Sequence, residues 1–291
     1  MSDQGDLVLG KRRFARHELA VMAIVNRTPD SFYDRGSTFG EGEALQRVAQ
    51  VIEQGADIVD IGGVKAGYGP EVDVDEELRR TASFVERIRD AHPDIVLSVD
   101  TWRAEVAREL CHRGADLLND TWAAADPHTA EVAAEFGVGL VCSHTGGLEP
   151  RTDPHRVGYD DVVGDVISAV TRLAGQAVGI GVRPDGILID PTHDFGKNTR
   201  HSLELTRRLD ELTATRWPVL VALSNKDFVG ETLDLPTERR LYGTLAATAI
   251  SAWHGARVFR AHQVPETRQV LDMVASIAGH RPPARATRGL A

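Results

Sequence analysis

The chain has almost no lysine. Of its 33 basic residues only Lys11, Lys65, Lys197 and Lys226 are lysines, and the other 29 are arginines. A compact ammonium and a forked guanidinium are not interchangeable in a tight pocket, so a lysine that survives such a bias marks a position to watch. Cysteine is scarce too. Cys111 and Cys142, the only two, fall on a predicted helix and a predicted strand, which excludes a disulfide framework and leaves both expected to be reduced. Aromatic residues make up only 5% of a chain with a formal net charge of -10. With no long basic stripe, a nucleic-acid partner is excluded and a small-molecule ligand is favoured. No hydrophobic run approaches the ~20 residues of a membrane span, so no membrane partner is expected. The start MSDQGDLVLG lacks the pattern of a signal peptide, and a cytoplasmic protein is the expectation.

What the chain does have is eight short apolar runs, each ending on or beside polar residues: 20–26, 57–63, 95–100, 116–120, 138–144, 186–190, 218–224 and 256–262. They are too short for helices and rich in Val, Ile and Leu, and most show no alternating face, as strands covered on both sides do. Helical stripes separate them, among them Leu45, Val48, Ala49 and Ile52; Leu78, Phe84, Val85 and Ile88; and Val163, Ile167, Val170 and Ala174. This order predicts an α/β chain folded as one (β/α)8 TIM barrel over 16–278, with an N-terminal extension at 1–15 and a flexible tail at 279–291. A doubly wound sheet is the runner-up, but Gly67-Tyr68-Gly69 does not complete its phosphate-binding fingerprint.

Polar residues at the carboxyl ends of barrel strands build active sites. Asn26, Asp100, Asn119, Asp190, Lys226, Arg260 and His262 should therefore converge on one rim. Lys226, directly beyond a buried strand, reads as functional, whereas Lys197 alone reads as a solvated lysine. His193 and Asp194 could form a polar or metal-binding patch, but read better as a solvated loop. Cys142 and His144 read as a buried thiol beside a loop-capping imidazole. The Gly- and Pro-containing stretch 145–159 is a candidate lid or interface loop. No H-E-x-x-H or paired-cysteine motif points to zinc.

Several segments carry a family resemblance. Asn26-Arg27-Thr28-Pro29-Asp30-Ser31-Phe32 resembles the N-V-T-P-D-S-F first-loop motif of dihydropteroate synthases. Asp57-Ile58-Val59-Asp60-Ile61-Gly62-Gly63, Ser98-Val99-Asp100-Thr101, Leu118-Asn119-Asp120, Ile189-Asp190-Pro191, Phe195-Gly196-Lys197, Ser224-Asn225-Lys226 and Arg260-Ala261-His262 follow in the family's order. The resemblance runs from about Val21 to Val274 and implies a pterin-binding barrel. Such enzymes join 6-hydroxymethyl-7,8-dihydropterin diphosphate to p-aminobenzoate in folate biosynthesis, with Mg²⁺ and loss of pyrophosphate. By this resemblance Asp100, Asn119, Asp190, Lys226 and Arg260 bind the pterin. Asn26, Arg260 and His262 hold the diphosphate, and Asn26 is also a Mg²⁺ ligand. The resemblance further implies that Asp30, Lys226, Arg260 and His262 serve the chemistry, that Lys65, Phe195 and Ser224 face the second substrate, and that the protein is a homodimer.

The departures cluster. Where the family's second loop reads G-E-S-T-R-P-G, this chain has Gly63-Val64-Lys65-Ala66-Gly67-Tyr68-Gly69, with Ala66 at the Thr position and Gly67 at the Arg position. The Arg of S-R-K is Asn225, a Met beside the strand-five histidine is Ser143, and Gly-Ile-Gly after strand six is Thr192-His193-Asp194. Arg27 and Arg35 appear in the first loop, and Arg27 or Lys65 could restore the lost charge. Losing two polar contacts of about 1.5–2.5 kcal/mol each slows turnover roughly 10²- to 10⁴-fold. The expectation is a dihydropteroate synthase paralogue with a retained pterin pocket and weak or no synthase activity. The alternatives are an active synthase and a non-catalytic ligand-binding scaffold.

Overall fold

Two-residue alternation along eight parallel strands organises the molecule, described here from a computed structural model over residues 5–28, 40–67, 69–152 and 157–289. The strands are β3 (Ala20–Asn26), β4 (Ile58–Gly62), β5 (Val96–Asp100), β6 (Leu117–Asp120), β7 (Gly139–Ser143), β8 (Ile187–Asp190), β9 (Leu220–Ala222) and β10 (Val258–Ala261). They pair in the order β8-β7-β6-β5-β4-β3-β10-β9, and a parallel bridge from Ile189 to Val219 brings the last edge to the first. The predicted (β/α)8 TIM barrel is the observed fold. Each run flagged in the sequence contains one strand, trimmed by a residue or two where the chain turns.

Alternate residues face opposite layers. Val21, Ala23, Val25, Val59, Ile61, Leu97 and Val99 join the cluster beneath the helices. Ala20, Met22, Ile58, Val96, Leu117, Val141, Leu188, Leu220 and Val258 form a separate cluster inside the barrel at its amino end. The outer ring includes α1 (Glu41–Glu53), α2 (Val74–Ala91), α3 (Ala104–His112), α4 (Thr129–Phe136), α5 (Val162–Ile180), α6 (Thr199–Arg207), α7 (Leu209–Thr213), α8 (Asp227–Leu233), α9 (Leu241–Trp253) and α10 (Val264–Ile277). Asp73 starts α2 by accepting a hydrogen bond from the Glu76 amide at 2.8 Å, which satisfies one of the free donors of the first turn.

The N-terminal extension has a structural task that the sequence did not reveal. An antiparallel hairpin, β1 (Leu7–Leu9) with β2 (Arg12–Phe14), closes the amino end of the barrel. Leu7, Leu9 and Phe14 are buried in the inner cluster, worth about 1.5–3 kcal/mol each. Arg257 secures the hairpin by donating to the carbonyls of Gly5 (2.6 Å), Ala15 (2.8 Å) and Phe14 (3.1 Å). Gly139 makes the fit possible: a Cβ there would stand 2.5 Å from Leu9 Cδ2 and 2.8 Å from the Gly186 carbonyl. At the other terminus, residues 279–289 form no helix or strand.

Candidate functional site

Continuing the same alternation one step above the apolar layer gives a polar one. Asp60 follows Ile58, Ser98 follows Val96, Asn119 follows Leu117, Asp190 follows Leu188 and Arg260 follows Val258. Asp60 stands at the centre of this layer. It is buried and accepts from Arg260 Nε at 2.6 Å, Ser98 Oγ at 2.6 Å and Asn119 Nδ2 at 3.3 Å. Arg260 Nη2 reaches Asp100 at 2.8 Å, and Thr121 Oγ1 donates to Asp100 at 3.1 Å. Burial raises the Asp100 carboxyl, with Arg260 opposing and the nearby Asp60 reinforcing the shift. Burial likewise raises Asp190. One buried side-chain oxygen in this layer, Asn119 Oδ1, has no partner.

Above the layer lies a cavity of about 340 Å³ at the carboxyl end of the barrel. Asn26, Asp100, Lys226, Arg260 and His262 line it together with Lys65, Phe195 and Ser224. Asn119 and Asp190 are buried beneath its wall, with Asn119 joined to it through Asp60 and Arg260. The structure brings these side chains together at one end of the barrel, but at two heights and not at one. Burial lowers the Lys226 ammonium, which donates to the His193 carbonyl and lies 4.5 Å from the centroid of the Phe195 ring. Phe195 also meets Trp122 edge to face at 5.2 Å. Ser224 Oγ pairs with His262 Nδ1 at 2.9 Å. Asp30 and Arg35 lie outside the described residues.

The second loop enters the cavity through Val64, Lys65, Ala66 and Gly67. Arg151, from the stretch flagged as a lid, donates to the carbonyls of Gly67 (3.3 Å) and Pro70 (2.8 Å), and Leu148 and Thr152 complete that wall. Arg27 turns the other way: its guanidinium lies 4.9 Å from the Phe84 ring centroid and donates to the Arg80 carbonyl.

Two expectations require correction. Lys197 is not a solvated lysine. It is buried, and its Nζ donates to the carbonyls of His144 (2.8 Å), Phe195 (2.8 Å) and Thr192 (3.1 Å), so it ties the loops after β7 and β8 together. Nor do His193 and Asp194 form a solvated loop. His193 is fully buried against Phe228. Asp194 accepts from the Asp227 and Phe228 amides at the start of α8, at 2.7 and 3.3 Å, and from Ser202 Oγ of α6 at 3.0 Å.

Thr192 and Asp194 keep positive φ, +53° and +69°. A β-branched residue at such an angle is a genuine outlier. Side-chain bonds hold the turn: the Thr192 amide donates to Asp190 at 2.7 Å, and its hydroxyl accepts from the His144 amide at 3.1 Å.

Sequence reasoning missed Asp60, Trp122 and the capping role of Asp194. The signal for Asp60 was present, because it follows an interior residue by two. Trp122 and Asp194 sit on loops whose neighbours only the tertiary packing reveals.

A parallel barrel with a carboxyl-end cavity, walled by a lysine and an arginine over buried carboxylates and an amide, defines an enzyme-type barrel built for a small polar ligand. Residues 22–262 match the pterin binding enzyme family, and the chain belongs to it. It is 59% identical over 284 residues to a Mycobacterium leprae protein named inactive dihydropteroate synthase 2, covering 96% of this chain and 98% of that one. Dihydropteroate synthase of Escherichia coli is 36% identical over 255 residues, 87% of this chain and 90% of the enzyme. The crystal structure of Yersinia pestis dihydropteroate synthase in a sulfonamide complex superposes with a TM-score of 0.89 at 33% identity, covering 95% of this chain and all of that one.

Proposed function

We propose that this protein binds a pterin in the cavity and does not turn over the synthase reaction at a physiological rate. The observation that carries the reading is the contrast between two walls of one cavity. The wall formed by Asp100, Lys226 and Arg260, over Asn119 and Asp190, offers the donors and acceptors that a pterin edge requires. Such charge-assisted bonds contribute about 1.5–3 kcal/mol each in a dry pocket. The unpartnered Asn119 Oδ1 is an acceptor suited to a ring N–H or amino group. In the facing wall, Ala66 and Gly67 carry no side-chain hydrogen-bonding group for the leaving diphosphate or the second substrate.

In this reading Asn26 and His262 meet the diphosphate and Arg260 covers the ring, while Asp30 steadies the cationic carbon. Phe195, Ser224 and Lys65 border the place of the second substrate. Among the described residues no group of three or more His, Cys, Asp or Glu side chains could hold a metal ion. Asn26 supplies one neutral oxygen, which fits Mg²⁺ that arrives on the diphosphate and keeps most of its water shell. Bound there, Mg²⁺ would neutralise phosphate charge.

The partner expected at the outer surface is a second copy. Tyr242, Ile250 and Trp253 on α9 and Met273 and Ile277 on α10 are exposed, forming apolar surface of the kind that subunit interfaces cover. Sedimentation should give the mass of a dimer, and a monomer at micromolar concentration contradicts this part. Among the described residues no helix is long and apolar enough to cross a membrane. Two free buried thiols accord with a reducing cytoplasm. The function is tested in a strain lacking its own synthase, where this chain should fail to restore folate synthesis while binding pterin in isolation.

A further inference from the structure

A second pocket, of about 640 Å³, opens at the opposite end of the barrel from the cavity. It lies between the segment leading into β3, the turn after α7 and the carboxyl ends of α9 and α10. Leu19, Ala252, Val274 and Ala278 give it an apolar floor. Its ionisable lining is two arginines and three histidines, Arg16, His17, His254, Arg257 and His280, against Asp210 as the one acid among the described lining residues. A chain of net charge -10 has therefore gathered five basic side chains around one hollow.

The arrangement is close. The His17 and His280 rings stack with centroids 4.1 Å apart and planes 12° from parallel. Partial desolvation beside the neighbouring ring, then His280, Arg16 and Arg257, hold the His17 imidazole below its usual range, so these groups share one electrostatic field. Arg257 is buried and spends its terminal nitrogens on the hairpin carbonyls, but its Nε has no hydrogen-bond partner. Arg16 and Arg257 supply the standing positive charge, partly offset at Arg257 by Asp6 and Glu18, and cations set over apolar surface favour an anion among them.

We propose that this pocket binds a small organic anion, a phosphate or carboxylate carried on an apolar body, with His17, His280 and Arg16 around the anionic group and the body on the Leu19 and Val274 floor. The site is separate from the pterin cavity and does not depend on the reading of that cavity.

The test uses the full chain and assigns binding to this pocket by the response of the His17 and His280 variants, which leave the pterin cavity unchanged. Calorimetry near pH 6, close to the ordinary imidazole range, measures phenyl phosphate, benzoate and inorganic phosphate separately. One equivalent of phenyl phosphate or benzoate should bind, the stronger of the two identifying the anionic group, and inorganic phosphate should bind at least tenfold more weakly for want of the apolar body. His17→Ala with His280→Ala should weaken the organic anion at least tenfold. His17→Gln with His280→Gln, which keeps polar side chains but removes the titratable charge, should do the same. Both histidines are exposed, so an unchanged melting temperature is expected and separates lost binding from lost fold. No binding of either organic anion at millimolar concentration, or undiminished binding in both double variants, overturns the proposal.

Discussion

The pterin-edge wall and the second-loop wall belong to one cavity but answer to different constraints. Asp60, Ser98, Asn119, Asp190 and Arg260 occupy interior positions of the barrel, where alternation fixes which residues meet and a stranded polar atom is costly. Removing Asp60 leaves Ser98, Asn119 and Arg260 short of an acceptor. Val64, Lys65, Ala66 and Gly67 lie on a loop that touches the cavity from outside that network, so the loop is free to lose its hydrogen-bonding side chains without cost to the fold. In this molecule the geometry of the cavity is tied to stability on one wall and not on the other.

The largest expected effect comes from breaking the inner network. Asp60→Ala leaves Arg260 buried with one carboxylate fewer and takes away an acceptor of Asn119 and Ser98. The expected loss is about 3–5 kcal/mol, a fall in melting temperature of roughly 10 °C, together with loss of pterin binding. Next, Lys226→Ala should weaken pterin binding about 10- to 100-fold by calorimetry, with a much smaller change in stability. If Asp60→Ala melts no lower than Lys226→Ala, the coupling of ring to stability is wrong.

A third change works on the other wall. Ala66→Thr with Gly67→Arg should strengthen the response to p-aminobenzoate after pterin is bound, read as heat in a second titration, and leave the melting temperature within about a degree. An unstable double variant would mean that the second loop is not independent of the core.

The fourth prediction concerns pH. Burial, then Lys197, pushes the His144 imidazole down to about 4 from its usual 6.5, although Asp165 opposes the shift. The folded form therefore holds fewer protons than the unfolded chain between those values, and stability should fall as pH drops from 6.5 towards 4. His144→Asn should flatten that part of the profile, as measured by urea midpoints at several pH values. The smallest effect is that of Lys65→Ala: ligand affinity changes while stability stays within about 0.5 kcal/mol.

How much of this was legible in the sequence follows the same division. Strands such as Ala20–Asn26 show themselves because both faces must be apolar, and the rim residues follow from where those runs stop. Asp60 was equally legible, since it lies two residues beyond Ile58 and shares its face, but a motif reading stops at the strand end and overlooks a charge inside the strand. Lys197 and His193 were not legible. His193 is buried by Thr206 of α6 and Phe228 of α8, and Lys197 by the loops after β7 and β8, contacts that no local pattern encodes, and only the scarcity of lysine hinted that Lys197 had a task. The hairpin over 7–14 hid for a related reason: three buried side chains on two three-residue strands leave too short a pattern to detect.

The central claim is that the cavity holds a pterin without completing the reaction. The most direct measurement is titration of the protein with 6-hydroxymethyl-7,8-dihydropterin diphosphate and Mg²⁺, followed by p-aminobenzoate with pyrophosphate release monitored in the same cell. The account predicts saturable one-to-one binding of the diphosphate and no release above the uncatalysed background. Steady release of pyrophosphate, or no binding at all, would contradict it.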